Sequence, residues 1–104
     1  MEEFLKLPRY AFTPAAIEHA PEEPGVFALF EGQELVFIGR ALDRSLSIRE
    51  CLLRHQDGAH GACTMAATHY TWEITFSPAW REAQILAGYR ARHRDAPRCN
   101  RPAA

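Results

Sequence analysis

The spacing of apolar positions changes several times along this chain, and each change marks an element. Val26-Phe27-Ala28-Leu29-Phe30 is a continuous β-branched and aromatic run between Gly25 and Glu31-Gly32, and Glu34-Leu35-Val36-Phe37-Ile38 follows and stops at Gly39. Two such runs joined by a short Gly-containing loop predict a β-hairpin. Because neither run alternates with polar residues, both faces of the sheet should be covered. After a connector at residues 40–46, Ser47-Ile48-Arg49-Glu50 has the form of a capping box and opens a helix to about Gln56. Ile48, Cys51, Leu52 and His55 share one face of that helix. From Thr68 to Phe76 the period returns to two, with Tyr70, Trp72, Ile74 and Phe76 on the apolar side of a third strand.

Ser77-Pro78 predicts the next helix, with Ser77 as N-cap and Pro78 in the first turn. Trp80, Ala83, Ile85, Leu86 and Tyr89 form its expected apolar stripe. Arg90, Arg92 and Arg94 bring positive charge to its carboxyl end, and Asp95-Ala96-Pro97 ends it. Upstream, Thr13-Pro14 reads as a helix start, and Pro21-Glu22-Glu23-Pro24-Gly25 breaks the chain. The expected organisation is a lead-in with helical character over residues 1–20 and one domain over residues 21–104. The class is α/β, more narrowly α+β: a small, mostly antiparallel three-stranded sheet flanked by helices, in the order β-β-α-β-α.

At 104 residues there is room for one core. A content of 47% hydrophobic and 24% charged residues excludes wholesale disorder. No apolar run approaches the ~20 residues that cross a bilayer. Met1-Glu2-Glu3-Phe4 is acidic where a secretory signal is basic, so a cytoplasmic protein with no membrane partner is expected. In a reducing compartment Cys51, Cys63 and Cys99 read as free thiols, an odd number with no CxxC pair and no disulfide framework. The net charge is −1, but its distribution is uneven: −5 over residues 1–34 and +4 over residues 35–104. Every basic residue of the second stretch is arginine, the better shape for bidentate phosphate contact; a solvated helix face with ordinary ion pairs explains the pattern equally well.

Gly25-Val26-Phe27 followed by Phe37-Ile38-Gly39 resembles the paired signature of the GIY-YIG nucleases. The likeness continues in order through a helix ending in His55, a helix start at Arg81-Glu82-Ala83, and Pro97-Arg98-Cys99-Asn100, similar to that family's closing Pro-Arg-Tyr-Asn. It covers about residues 22–100. The resemblance implies the family's fold and a divalent-metal-dependent endonuclease that hydrolyses phosphodiesters in nucleic acid. It places Glu82 at the cation, Mg²⁺ or Mn²⁺, and His55 and Asn100 at family positions. A hard cation on a carboxylate polarises phosphoryl oxygens, and a guanidinium meets the developing charge. Phe27 and Phe37 stand at the family's tyrosine positions without a hydroxyl, and Cys51 stands at its arginine position. Arg49, Arg54 or Arg40 would then supply the guanidinium.

Three readings follow. The chain is a working endonuclease with Glu82 as metal ligand; or a non-catalytic descendant that binds nucleic acid through Arg40, Arg44, Arg49, Arg54 and Asn100; or a scaffold for a protein partner or a homodimer. Two further constellations are weaker. His55, His60, Cys63 and His69 fall within fifteen residues but fit no standard zinc spacing. Cys51 and His55, four apart on a helix, have the spacing of a thiolate–imidazole pair, although a small apolar cysteine in a helix face is commoner. Trp72 and Trp80 read as core.

Overall fold

The computed structural model describes residues 1–101; the last three residues of the expected 21–104 domain lie outside the described residues. In chain order the elements are α1 (Glu2–Leu5), β1 (Tyr10–Ala11), α2 (Pro14–Ile17), β2 (Gly25–Glu31), β3 (Glu34–Ala41), α3 (Ile48–Gln56), α4 (Ala62–Met65), β4 (His69–Ile74), α5 (Pro78–His93) and a 3₁₀ turn at Arg98–Asn100. The sheet is antiparallel throughout, with strand order β1-β4-β2-β3. It has four strands rather than the three expected. The added strand lies in the lead-in, where Tyr10 and Ala11 pair with Tyr70 and His69. Two exposed residues are too few to show any alternation, so the sequence carries no sign of them.

The hairpin forms as expected, turning at Gly32, whose φ of 60° suits glycine. β2 lies in the middle, hydrogen-bonded to β4 on one side and β3 on the other, and is buried from Gly25 to Phe30. On one face Phe27 and Leu29 pack with Phe12, Ile17, Ile48, Leu52 and Tyr70. On the other, Val26, Ala28 and Phe30 pack with Phe4, Leu35, Ile38 and Ile85. The lead-in therefore covers both faces: Phe4 lies under one, Phe12 and Ile17 under the other.

The register slips between Leu29 and Phe30, which face Phe37 and Leu35, and leaves Val36 unopposed as a β-bulge. Val36 and Phe37 consequently both join the Phe27 face. Phe27 is paired with Gly39. A Cβ at Gly39 would lie 2.6 Å from Phe27 Cζ and 2.7 Å from Phe37 Cε2, so glycine is what lets the two rings close over the strand.

Ser47 caps α3 by accepting from the Glu50 amide, and Ile48, Cys51, Leu52 and His55 are its buried face, as the periodicity requires. Glu50 accepts from Arg54 one turn on and makes no reciprocal bond to Ser47 among the described residues. α5 departs further from expectation. Ser77 makes no side-chain cap, Trp80 is 67% exposed and Ala83 is exposed, so neither belongs to the stripe. Ile85, Leu86 and Tyr89 of the expected stripe do pack on the sheet, and the first turn adds Pro78, Arg81 and Glu82. β4 ends at Ile74, and Phe76, 82% exposed, lies beyond the covered sheet.

The register explains the polar first turn of α5. Val26 is flanked by Glu73 on β4 and by Arg40 on β3. Above that row, Arg81 donates twice to Glu73, at 2.6 and 3.0 Å, and Glu82 accepts from Arg40 at 3.0 Å. Adjacent helix residues of opposite sign thus straddle the central strand, each meeting its counter-charge.

Cys63 and Cys99 form a disulfide that ties α4 to the 3₁₀ turn, which corrects the expectation of three free thiols; Cys51 alone is free. In the same turn Asn100 accepts from the Ile38 amide at 2.8 Å and donates to the Ile38 carbonyl at 2.9 Å. The turn is thereby fixed along the open edge of β3.

Two stability measurements test this account. Gly39→Ala should cost about 1–3 kcal/mol in urea unfolding, the usual range for overpacking. A change within error would show that the rings can part freely. Serine at both Cys63 and Cys99 should cost about 4 kcal/mol, from the entropy of the closed loop in the unfolded chain.

Candidate functional site

A cleft of about 530 Å³ lies along the outer edge of β3, and it is lined by Phe27, Phe37, Gly39, Arg40, Leu46, Cys51, Arg54, His55, His60, Thr64, Glu82 and Cys99. β3 supplies the floor, α3 one wall, α4 and the 3₁₀ turn the far end, and Arg40 with Glu82 the side that faces α5. The missing side chain at Gly39 keeps this edge low.

His55 is the most constrained group. It is 5% exposed and shares a 2.9 Å hydrogen bond from Nδ1 with the buried Thr64 hydroxyl on α4. Its ring lies 4.7 Å from Phe37 and 5.6 Å from Phe27, and His60 stacks on it at 4.2 Å. Burial, and secondarily the neighbouring His60, push its pKa down to about 4, so it is neutral near pH 7. Cys51 is also buried. Its sulfur faces the carbonyls of Arg40 and Leu46 at 3.9 and 3.8 Å, and burial raises its pKa. With its thiol turned to carbonyls and His55 held by Thr64, the two do not form a nucleophilic pair.

The sequence-derived candidates divide cleanly. Phe27, Phe37, Cys51, His55, Arg40, Arg54 and Glu82 meet in the cleft. Arg49 does not line it: its guanidinium donates to the Ala20 carbonyl at 2.9 Å and pairs with Glu22, pinning α3 to the lead-in. Arg44 pairs with Glu23 at 3.3 Å and also lies outside. Asn100 spends both ends of its amide on Ile38. His60 and Thr64 are cleft residues the sequence did not single out for this site. The four-His/Cys cluster considered for zinc had drawn attention to His60, for another chemistry. That cluster does not assemble, since Cys63 is oxidised with Cys99 and no three His, Cys, Asp or Glu side chains converge among the described residues.

Among the described residues Glu82 is the one carboxylate lining the cleft, and its Oε1 already accepts from Arg40. With one carboxylate, itself held by a guanidinium, the donor set does not fit a resident divalent cation, and no step is routed through one. What the arrangement offers is two guanidinium groups beside an aromatic wall. Arg40 and Arg54 are each roughly half exposed and each is paired to a single carboxylate, Glu82 or Glu50. Such pairs contribute little in water, so a phosphate can take either arginine over at small cost.

No family model, curated protein or solved structure matches the chain. No helix among the described residues is long and apolar enough to cross a membrane.

The buried histidine makes stability depend on pH. An unfolded histidine protonates near ~6.5, whereas His55 in the fold resists until about 4. Between those values the unfolded chain binds the extra proton, so stability rises with pH and is lost as pH falls through the window. Unfolding titrations from pH 7 to 4 should show a loss on the order of 3 kcal/mol. His55→Gln should flatten that slope, and an unaltered slope would assign the acid sensitivity elsewhere.

Proposed function

We propose that this chain is a nucleic-acid-binding domain on a GIY-YIG-like scaffold, gripping phosphodiester groups between Arg40 and Arg54 and no longer hydrolysing them by that family's route. The observation that carries this reading is convergence. Phe27 and Phe37 of the hairpin, Cys51 and His55 of α3 and Glu82 of α5 come from three separate parts of the chain, and they line one cleft. Core packing brings Phe27, Phe37 and Cys51 together, and Glu82 joins them from the helix on the other face of the sheet.

The loss of hydrolysis follows from what those residues are. The phenyl rings of Phe27 and Phe37 carry no group that can move a proton or position water. Cys51, at the family's arginine position, is a buried neutral thiol with no charge to offer a phosphorane-like transition state. Each missing proton-handling or charge-stabilising group typically costs ~10²–10⁴ in rate, which leaves negligible cleavage. Glu82 serves instead to hold Arg40 in the cleft.

The position of Glu82 favours one competing reading, the metal-dependent endonuclease. One experiment separates them: fluorescence anisotropy with labelled DNA and RNA across a salt series, beside a plasmid-nicking assay with Mg²⁺ and Mn²⁺. Wild type should bind with strong salt dependence and leave the plasmid intact. Arg54→Ala should weaken binding and lower the log–log salt slope by about 1. Metal-dependent nicking that disappears in Glu82→Gln would establish the endonuclease. Absence of binding even at low salt would leave the scaffold as a protein-contact module.

A further inference from the structure

The cleft contains more than phosphate-binding charge. Phe37, His55 and His60 form a column, the buried His55 between a half-buried Phe37 and an exposed His60, with centroid separations of 4.7 and 4.2 Å. The inner contact is tilted by 51°, but the outer one is stacked, with 27° between the ring planes. Each level is fixed by a different constraint. Phe37 is held against Gly39 by the bulge, and His55 by Thr64. His60 belongs to the turn between α3 and α4, where Asp57 accepts from the Ala59 amide at 3.0 Å. His60 itself is exposed. The column therefore ends in an aromatic ring on the wall of a cleft that also holds Arg40 and Arg54.

Resting on the nucleic-acid reading above, we propose that the ligand of this cleft is single-stranded, with one unpaired base stacked on His60 and its flanking phosphates on Arg54 and Arg40. A base inside a duplex shows only its edges and has no free face for this platform. A flat π-surface beside guanidinium groups is the common device of sequence-tolerant single-strand binding. The cleft volume falls within the roughly 300–1,000 Å³ usual for pockets that enclose a small organic group. Because the platform is already stacked and hydrogen-bonded from below, little side-chain freedom is lost on binding.

The test compares three ligands at one salt concentration by anisotropy: a short single strand of mixed sequence, its blunt duplex, and an abasic strand with the same number of phosphates. The single strand should bind roughly 5- to 150-fold more tightly than the abasic strand, the range a stacked base contributes. It should also bind more tightly than the duplex. His60→Ala should erase this advantage while leaving the salt slope unchanged, and His60→Phe, which keeps a stacking face, should restore it. Circular dichroism confirms that both variants are folded, and His60→Phe retains the test if alanine unfolds the turn. Equal affinity for the abasic strand, or a preference for duplex, would overturn the stacking site while the Arg54-dependent salt slope upholds phosphate binding. Failure of all three ligands to bind at low salt would overturn both.

Discussion

The double burial of β2 is the constraint on which the rest of this small protein depends. A strand with a neighbour on each side and apolar side chains on each face needs cover above and below, and a chain of 104 residues has little to spend on it. The solution divides the work: α2 and α3 close one face, α5 and α1 the other, and the lead-in passes around the β1–β4 edge to serve both. The cleft arises where this cover stops, at the free edge of β3. Its aromatic wall is the continuation of the core face, and its charges come from both sides of the sheet, Arg54 from α3 and the Arg40–Glu82 pair from the α5 side.

The row Glu73–Val26–Arg40 beneath Arg81–Glu82 gives the same economy in electrostatic form. A helix end placed on a sheet desolvates part of its first turn, and half-buried charges there need partners. Opposite signs on the two strands that flank β2, and on two successive helix residues, supply them. It also means that Glu82, which in isolation looks like a metal ligand, has a structural task. Substituting it disturbs the placement of Arg40 as well as any chemistry at the carboxylate.

Local features were legible in the sequence, and features that depend on long-range register were not. The hairpin, the Ser47 cap and the buried face of α3 follow from neighbours a few residues apart, so pattern alone locates them. The residues of the candidate cleft were partly legible because the hairpin and the buried face of α3 bring Phe27, Phe37, Cys51 and His55 to one side of the sheet. The pattern could not separate Arg54 from Arg49: both lie on one helix, and only packing against Ala20 and Glu22 takes Arg49 away from the cleft. Trp80 is exposed, against the usual burial of large aromatic residues, because the first turn of α5 presents Arg81 and Glu82 to the sheet. The disulfide joins cysteines 36 positions apart with no spacing motif to announce it. His60 lies outside the pattern because its place in the cleft is set by stacking on His55 and not by spacing.

The bidentate grip of Asn100 on Ile38 reaches beyond the cleft. Antiparallel sheets invite further strands wherever an edge shows unpaired amides, and such edges drive aggregation between copies. Here one edge is β1, only two residues long, and the other has the amide and carbonyl of Ile38 already taken by a side chain that imitates a neighbouring strand. A foreign strand approaching β3 meets a decoy rather than a template. The same asparagine that borders the cleft therefore fills one of the pairing positions through which a further strand would add to β3, and it does so from the carboxyl-terminal turn.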